Sequence, residues 1–334
     1  MKRWHVPDML AIGRKLFAKI YKQKYHAHHN HEAHFMAREI DAWLPTGIQS
    51  IVDGHYSPRH LRRYYFSDET VDQVHLTDRI FQHVLLKQLK PTFGHVMNSN
   101  CYHLHGPHGV KLATQHIRQV LQEEKPNFFI RADIRSFYKS ILHHKLIKDI
   151  KQYYDDSKVQ AMLEEIITNP IDTPRGTKNP GNGIALRGPL SQFFSGIFLK
   201  PLDDAFNSMN VTYIRYQDDI LILCQTKRQL SRCRRKMMEV LHERRLSLSR
   251  KKTRMGCIRS GFHFLGVNYP KTQPLDNTNV DHATNDPVIT SLDDYNLYVI
   301  GGGQQHLINS RMSLIVLFRM LGHCVRQEIK LCGW

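Results

Sequence analysis

The sequence predicts an α+β fold in which short buried strands bring carboxylates to one edge of a sheet. Two apolar runs, "FFI" at 128–130 and "ILIL" at 220–223, have the length and composition of such strands. Asp133 follows the first run, and Asp218 and Asp219 directly precede the second. Longer segments with apolar residues three and four apart predict helices around the sheet. With 334 residues, 41% of them hydrophobic, the chain can form a core and two or three packed lobes.

The charge balance favours a polyanionic partner. Lys and Arg outnumber Asp and Glu by 47 to 30, which gives a formal net charge of +17. An excess of this size in a folded protein points most simply to nucleic acid. Solubility alone is the alternative explanation.

The cysteines and the hydropathy indicate a cytoplasmic protein that does not enter a membrane. The six cysteines form no C-x-x-C pair, and Cys224 lies inside an apolar strand, so we expect reduced thiols without a disulfide framework or a zinc knuckle. The N-terminal residues are too charged for a signal peptide. No segment approaches the ~18 uninterrupted apolar residues of a membrane span.

The remaining elements are predicted from periodicity and from breaker residues. Strands are expected at 128–133 and 261–269, and a hairpin at 212–224 with its turn at Gln217-Asp218. A Pro/Gly-rich loop is expected at 169–183 and a polar loop at 270–295. The predicted helices cover residues 9–46, 68–92 with an end at Pro91, 142–168, 191–209, a basic helix at 227–245, and 307–331.

A histidine-rich segment, "KYHAHHNHEAHF", lies within the first predicted helix. Its "HEAH" is one residue short of the H-E-x-x-H zinc signature, in which both histidines lie on one helix face. We therefore favour a solvated or RNA-facing helix surface over a metal site.

The carboxylates pose the main chemical question, because burying an ionised carboxylate is costly without a positive partner. Taken singly, each aspartate is more often a turn or capping residue. If the two acid-bearing elements are neighbours in one sheet, however, three carboxylates converge. Oxygen ligands gathered in this way suit Mg²⁺, and two such ions are the usual clamp for in-line attack on a phosphate.

At this point the motifs resemble those of reverse transcriptases. "YQDD" resembles their Y-x-D-D box, and "DIRSFYKSI" resembles the first palm motif. "LRGPLSQFFSGIFLKPLDDAF", "LSLSRKKT" and "FHFLG" match the next motifs in order. "HLTDRIFQHVLLKQLKPTF" and "CYHLHGPHGVKLATQHI" resemble fingers motifs of bacterial, group II-intron-like enzymes. The matching motifs span roughly residues 70–290. Among bacterial reverse transcriptases, the chain resembles the stand-alone defence-associated enzymes and those of diversity-generating retroelements.

The resemblance implies a right-hand polymerase fold with fingers, a palm containing an antiparallel sheet, and a small helical thumb. The implied segments are an N-terminal helical extension at 1–66, fingers at 67–126, a palm at 127–270 with a fingers insertion at 150–185, and a thumb-like helical region at 271–334. Because 68 residues follow Gly266, we expect a short thumb and neither an RNase H domain nor a homing endonuclease domain.

The resemblance also implies roles for individual residues. Asp133, Asp218 and Asp219 would be catalytic and would bind the metals, assisted by the Ile134 carbonyl. Tyr138 would be the steric gate against a ribose 2′-OH. Nucleotide binding would further involve Arg79, Leu186, Gly188, Gln192 and Lys252. Nucleic-acid binding would involve Arg187, Arg232, Arg235 and the primer grip Phe264, Leu265 and Gly266.

The chain also departs from the family pattern. Leu186-Arg187 stands where group II-intron enzymes have Gln-Gly, and Ser191-Gln192 replaces Ser-Pro. The hydrophobic Leu186 and the Ser-Gln pair resemble diversity-generating retroelement enzymes, but those enzymes keep a Gly at the position of Arg187. The fingers lack the usual K-x-R lead-in, so Arg62 or Arg63 is a candidate substitute for the missing triphosphate contact.

The function implied is RNA-directed DNA polymerisation of dNTPs with two Mg²⁺ ions, Mn²⁺ being a possible replacement. The favoured setting is anti-phage defence with a non-coding RNA template and a DNA product. The alternatives are a mutagenic enzyme of a diversity-generating retroelement, a template-independent, DNA-templated or protein-assisted polymerase on the same fold, and a non-catalytic RNA-binding protein. Candidate protein partners are an accessory protein, a second reverse transcriptase, or further copies of this chain in a homo-oligomer.

Overall fold

The chain folds into two compact units that alternate along the sequence. The computed structural model describes residues 4–67, 70–94, 96–186 and 188–269. One unit is formed by the segments up to Asn98, Ser136–Pro201 and Arg244–Leu246, and the other by Ser99–Arg135, Leu202–Glu243 and the described residues from Ser247 onward. The predicted thumb at 271–334, the loop at 270–295 and the helix at 307–331 lie outside the described residues.

The secondary structure mixes helices and short strands. The helices are α1 Val6–Lys24, α2 Glu32–Arg38, α3 Ile40–Asp53, α4 Leu76–Phe93, α5 Gly109–Glu123, α6 Phe137–Ser140, α7 His143–Tyr153, α8 Ser157–Ile167, α9 Ser191–Phe198, α10 Lys200–Asn207 and α11 Lys227–Glu243. The strands are β1 Leu61–Tyr65, β2 Thr70–Gln73, β3 Phe128–Asp133, β4 Ile171–Thr173, β5 Gly176–Lys178, β6 Thr212–Tyr216, β7 Asp219–Cys224, β8 Arg254–Cys257, β9 Phe262–Phe264 and β10 Val267–Tyr269. Short 3₁₀ segments occur at Tyr102–His108 and Ile258–Ser260. Within the described ranges, no helix is both long and apolar enough to cross a bilayer.

The first unit joins helices to a small mixed sheet with strand order β2-β1-β4-β5. β1 is antiparallel to β2 and parallel to β4. Arg63 on β1 is directly opposite Asp72 on β2, and its Nε lies 2.7 Å from an Asp72 carboxylate oxygen. This cross-strand ion pair and the β-branched Thr70 and Val71 explain why 70–73 is a strand, so the predicted helix start at 68 is wrong.

Several predicted helices are divided or displaced. The helix expected at 9–46 ends at Lys24, and the His31 side chain caps α2 by accepting a hydrogen bond from the Ala33 N–H. The helix expected to end at Pro91 continues to Phe93, whose ring stacks on Tyr154 at 5.2 Å. A proline near the end of a helix removes a single backbone hydrogen bond, and burial of Phe93 offsets that loss.

Three other predicted elements contain breaks. The helix at 142–168 is interrupted before α8, where the Asp156 carboxylate accepts from the Lys158 and Val159 N–H groups. The stretch 191–209 is interrupted at Leu199, and the loop 169–183 contains the β4–β5 hairpin. The single strand expected at 261–269 is a hairpin, since Leu265 and Gly266 both have positive φ, of 49° and 79°. Such a pair forms a two-residue turn.

The second unit is built on an antiparallel sheet with strand order β6-β7-β3-β8. One face packs its apolar residues against α5 and the β9–β10 hairpin, in a cluster that includes Phe129, Leu221, Ile117 and Phe264. α11 packs against β3 and β7. It is the predicted basic helix, with Cys233, Met237, Val240 and Leu241 buried along one side.

Candidate active site

The two acid-bearing elements are neighbours in this sheet, which is the condition under which the sequence predicts that three carboxylates converge. β3 and β7 are antiparallel, and Asp133 at the end of β3 is directly opposite Asp219 at the start of β7. Asp218 precedes Asp219 in the turn that connects β6 to β7. Side chains directly opposite each other in an antiparallel pair lie on the same face of the sheet, and like charges in that arrangement destabilise it. The fold therefore holds repelling carboxylates together.

The turn that carries Asp218 has an unusual backbone. Tyr216 pairs with Asp219, so the hairpin has the two-residue loop Gln217-Asp218, and Gln217 has a φ of 55°. A positive φ at the first loop position is typical of a turn that normally requires glycine. A glutamine there costs free energy unless its surroundings fix it.

Two buried side chains fix this turn. The Gln217 N–H donates to His103 Nδ1 at 3.1 Å, and Arg215 Nη1 donates to the Gln217 carbonyl at 3.1 Å. Accepting that hydrogen bond requires His103 to be unprotonated at Nδ1. His103 and Arg215 therefore satisfy both backbone groups of the strained residue next to Asp218.

Arg215 is itself held by a buried acid. Its Nε and Nη2 donate to the two carboxylate oxygens of Asp203 at 2.7 and 2.6 Å, and the pair is 0% and 1% exposed. The Tyr213 hydroxyl donates to Asp203 at 2.7 Å, and the Cys101 thiol donates to Asp203 at 3.1 Å. Burial alone would lower the pKa of Arg215, but the Asp203 charge raises it well above its usual value, so the guanidinium stays charged.

Asp218 and Asp219 have raised pKa values. Burial, followed by the charges of Asp219 and Asp133, raises the pKa of Asp218 to about 8. Burial and the Asp133 charge raise the pKa of Asp219 to about 6, against the opposing effects of Arg131 and Lys252. Negative charge at this edge of the sheet is therefore only partly compensated by the protein.

Lys252 supplies part of that compensation. The segment after α11 pairs beside β3, with the Ser249 N–H donating to the Asp133 carbonyl at 2.8 Å. This pairing brings Lys252 Nζ to 3.2 Å from Asp133 Oδ2. No group of three His, Cys, Asp or Glu side chains in the described part of the chain is arranged to enclose a metal ion.

Other predicted residues of the second unit are placed as follows. Ile134 is buried, and its N–H donates to the Asp218 carbonyl at 3.3 Å, which links β3 to the turn. Phe264 is fully buried and Leu265 nearly so, at the hairpin turn with Gly266. Arg232 and Arg235 are exposed on α11.

The remaining predicted residues belong to the first unit. Tyr138 is 8% exposed on α6, and its carbonyl accepts from the Ile184 N–H at 3.0 Å. Gln192 lies in the first turn of α9, and a side chain at Gly188 would meet Ser191 Oγ at 2.8 Å. Leu186 is exposed and Arg79 is half-buried on α4. Arg187 lies outside the described residues.

The histidine-rich segment has structural roles near α2. In addition to the His31 cap, His34 Nε2 lies 3.2 Å from the Ala27 carbonyl and Nδ1 lies 3.3 Å from the Tyr21 hydroxyl. These contacts hold the connection between α1 and α2. An RNA-facing role for the segment stays a prediction.

Comparison with known proteins decides the family. The family model "Reverse transcriptase (RNA-dependent DNA polymerase)" matches residues 71–269, more than half of the chain and all of the carboxylate-bearing sheet. The chain belongs to the reverse transcriptase family. The predicted right-hand polymerase fold and the predicted enzyme class, a nucleotidyltransferase of the RNA-directed DNA polymerase type, are thereby confirmed.

Individual relatives are distant. Protein YkfC of Escherichia coli K12 is 24% identical, over 68% of this reverse transcriptase and 72% of that protein. Two structures of apo telomerase from Candida tropicalis have TM-scores of 0.46 and 0.49 at 11% identity and cover 67% and 70% of this chain. This chain covers only 56% and 52% of those telomerase chains. A partial Cas6-RT-Cas1–Cas2 complex has a TM-score of 0.38 at 14% identity, covering 71% of this chain and 41% of that one.

The residues that hold the Gln217-Asp218 turn were not predicted from the sequence. Arg215 lies in the apolar run "TYIRY", and a charged residue in a buried strand signals a buried partner. That signal does not identify Asp203, which lies 12 positions earlier and is followed by a second aspartate at 204. His103 carries no such signal, because its contact with Gln217 is made across 114 positions.

Replacing His103 tests its role as a positioning residue in this reverse transcriptase. His103→Phe keeps a ring beside Tyr216 but removes the acceptor for the Gln217 N–H. We expect a loss of about 1–3 kcal/mol in the free energy of unfolding, because a buried donor loses its partner. We also expect a lower kcat with little change in the KM for dNTP. His103→Asn, which retains an acceptor, should recover most of both in denaturant unfolding and primer-extension kinetics. Equal kcat values for His103→Phe and wild type would exclude this role.

Proposed function

We propose that this reverse transcriptase copies RNA into DNA with two divalent metal ions, Mg²⁺ in the cell, held by Asp133, Asp218 and Asp219. The observation that carries the proposal is the only partly compensated negative charge of these acids. Asp218 and Asp133 are 8% and 5% exposed, the strand register places Asp133 directly opposite Asp219, and Asp218 precedes Asp219 in the turn. Such a cluster of hard oxygen donors fits Mg²⁺.

The metals, when bound, would supply charge neutralisation of the reacting phosphate and activation of the primer hydroxyl. The chain itself positions the acids. The His103 and Arg215 contacts fix the turn at Gln217, and the Ile134 N–H ties Asp218 to β3. Lys252 forms an ion pair with Asp133. Once metal ions neutralise the acids, the Lys252 ammonium group would be available to bind the incoming triphosphate.

Substrate selection is proposed to depend on Tyr138. Its position five residues after Asp133 matches that of the family's steric gate. The short helix α6 is held by the hydrogen bond that the Ile184 N–H donates to the Tyr138 carbonyl.

Tyr138→Ala should raise the efficiency of ribonucleotide incorporation relative to dNTP by about tenfold or more, because the ring no longer excludes a 2′-OH. The measurement is the ratio of kcat/KM values for a dNTP and the matching rNTP. Tyr138→Phe, which keeps the ring, is the control; an unchanged ratio in Tyr138→Ala would leave Tyr138 as a packing residue.

Nucleic-acid contacts are proposed for the primer-grip hairpin at Phe264, Leu265 and Gly266 and for the exposed Arg232 and Arg235 of α11. The net charge of +17 supports such contacts. Contacts of Arg79, Arg187, Leu186, Gly188 and Gln192 with the nucleotide or template are proposed from the motif resemblance alone.

For the biological setting we propose a non-coding RNA template in a bacterial defence system, with a diversity-generating retroelement as the second candidate. The departures at Leu186-Arg187 and in the fingers support a specialised template. The test is to purify the protein with its bound nucleic acid, add labelled dNTPs with Mg²⁺ and sequence the product. Product complementary to a single co-purified RNA supports the proposal. Product that matches no bound RNA overturns it.

A further inference from the structure

We propose that Arg131 and Arg254 bind one backbone phosphate of the primer strand, close to its 3′ end. The proposal rests on the proposed polymerase function and assigns an additional binding site beside its carboxylates. Both arginines belong to the second unit and to the same sheet as Asp133.

The strand register places the two arginines together. Arg131 on β3 is directly opposite Arg254 on β8 in an antiparallel pair. Their side chains therefore lie on the same face of the sheet, where two like charges repel each other. Arg131 is also two residues before Asp133, so this face is the one that carries Asp133 and Asp219. A cationic pair thus lies next to the acids.

The contacts of Arg131 leave part of its guanidinium unsatisfied. Its Nε is buried and has no hydrogen-bond partner among the residues that the structure describes. Arg131 lowers the pKa of Asp219 by its charge, but neither Asp219 nor another acid forms an ion pair with it in that part of the chain. An unpaired buried donor costs free energy. Among the described residues no ion-paired acid would have to be displaced before a phosphate bound the Arg131 guanidinium.

The surroundings of Arg131 are open on one side. Burial and the charge of Arg131 lower the pKa of His263 on β9. The side of the sheet beyond Arg131 is closed by the apolar cluster around Phe129 and Phe262. The open direction is toward Arg254, which is exposed on the edge strand β8. An anion would therefore enter beside Arg254.

The distance between Arg131 and Asp133 indicates which nucleic-acid strand carries the phosphate. Two residues along a β-strand span ~7 Å, which separates Arg131 from Asp133. Phosphates of a single strand advance ~3.4 Å along the duplex axis per nucleotide, so a phosphate at this distance lies within about two linkages of the reacting end. The 3′ end at the carboxylates is that of the primer, so we assign the phosphate to the primer.

The first measurement is duplex binding without catalysis. A labelled DNA primer on an RNA template is titrated with wild type, Arg131→Gln, Arg254→Gln and the double variant in EDTA across a salt series. We expect about tenfold weaker binding at low salt for each single variant and a log–log salt slope smaller by about 0.9 for the double variant, the value for one lost phosphate contact. Arg259→Gln, which removes an exposed arginine just after β8, is the matched control and should have a smaller effect than either.

The second measurement locates the phosphate. Neutral methylphosphonate linkages are placed one at a time in the last four positions of the primer or at the opposing template positions. One primer linkage should weaken wild-type binding about tenfold and leave the double variant unaffected, whereas template linkages should affect both proteins equally. Arg131→Lys, which retains the charge if Arg131→Gln fails to fold, should stay sensitive to that same linkage.

The outcomes separate the site from the polymerase function. Equal sensitivity of wild type and double variant at every linkage would overturn the phosphate site and leave Arg131 as a counter-charge for Asp219. A linkage effect that depends on Arg131 in a protein unable to extend primers would keep the site and reject the function. Failure of wild type to bind the duplex would overturn both.

Discussion

Asp218→Asn should lower the rate of nucleotide addition by about 10³-fold or more and should stabilise the metal-free protein. The rate falls because a ligand for the metal ions is lost, which removes several kcal/mol of transition-state stabilisation. The stability rises because the substitution removes one of the repelling, buried charges beside Asp219 and Asp133.

The gain in stability has a defined pH dependence. The pKa of Asp218 is about 8 in the fold and near 3.8 in the unfolded chain, so between these values the unfolded chain binds fewer protons than the native one. Wild-type stability should therefore fall as the pH rises from about 4 to 8, by about 1.4 kcal/mol per unit of pKa difference at most. The Asn variant should lack this contribution, so its advantage grows with pH and levels off above 8.

Denaturant unfolding in EDTA at several pH values, together with single-turnover primer extension, measures both effects. Asp53→Asn, at an exposed carboxylate that accepts from Gln49 at the end of α3, is the control and should leave both the rate and the pH profile unchanged. A fully active Asp218→Asn variant would contradict the assignment of the metal site. An unchanged pH profile would contradict the repulsion between the carboxylates.

Breaking the Arg215–Asp203 pair should cost about 3–5 kcal/mol in the free energy of unfolding. Asp203→Leu leaves the Arg215 charge buried without its ion-pair partner. Arg215→Met likewise leaves the buried Asp203 carboxylate without its ion-pair partner. The double variant, in which two apolar side chains replace the pair, should recover part of that stability. Recovery should be incomplete, because the buried Tyr213 hydroxyl loses its Asp203 acceptor. Urea unfolding of all four proteins measures the coupling between the two residues.

Activity should not recover with stability in that double variant. The Arg215→Met substitution removes the donor to the Gln217 carbonyl, so the strained residue before Asp218 loses one of its two fixing contacts. We expect a folded protein with a kcat lower by about tenfold or more, since one buried hydrogen bond to the turn is lost. Wild-type activity in the double variant would show that the pair serves stability alone. Additive losses in the two single variants would show that the pair does not act as a unit.

The strands that carry the carboxylates were predictable because their signals are local. Asp133 ends a short apolar strand, and the Gln217-Asp218 turn lies between two such strands, so the apolar runs and the turn position predicted these elements, whereas their pairing in one sheet remained a condition. The motif order then identified the family, and the match to 71–269 confirms it. Local signals failed at 70–73, where the predicted helix is replaced by a strand with cross-strand pairing of Arg63 and Asp72.

The contacts that hold the site were not predictable from local patterns. The partners of Arg215 and Gln217 are Asp203 and His103, and nothing in either segment's composition indicates which residue is reached. Likewise, Arg131 and Arg254 become neighbours only through the register of β3 and β8. Residue type predicts the chemistry of such groups, whereas the tertiary fold decides their partners.

The most direct test of the central claim is primer extension on defined templates. One DNA primer is annealed to an RNA and to a DNA template of the same sequence, and purified wild-type protein is supplied with dNTPs and Mg²⁺, with the products sequenced. We predict DNA complementary to the RNA template, which requires Mg²⁺ and is absent with Asp218→Asn. Product that ignores the template sequence, forms only on the DNA template, or persists in Asp218→Asn would contradict RNA-directed synthesis at these carboxylates.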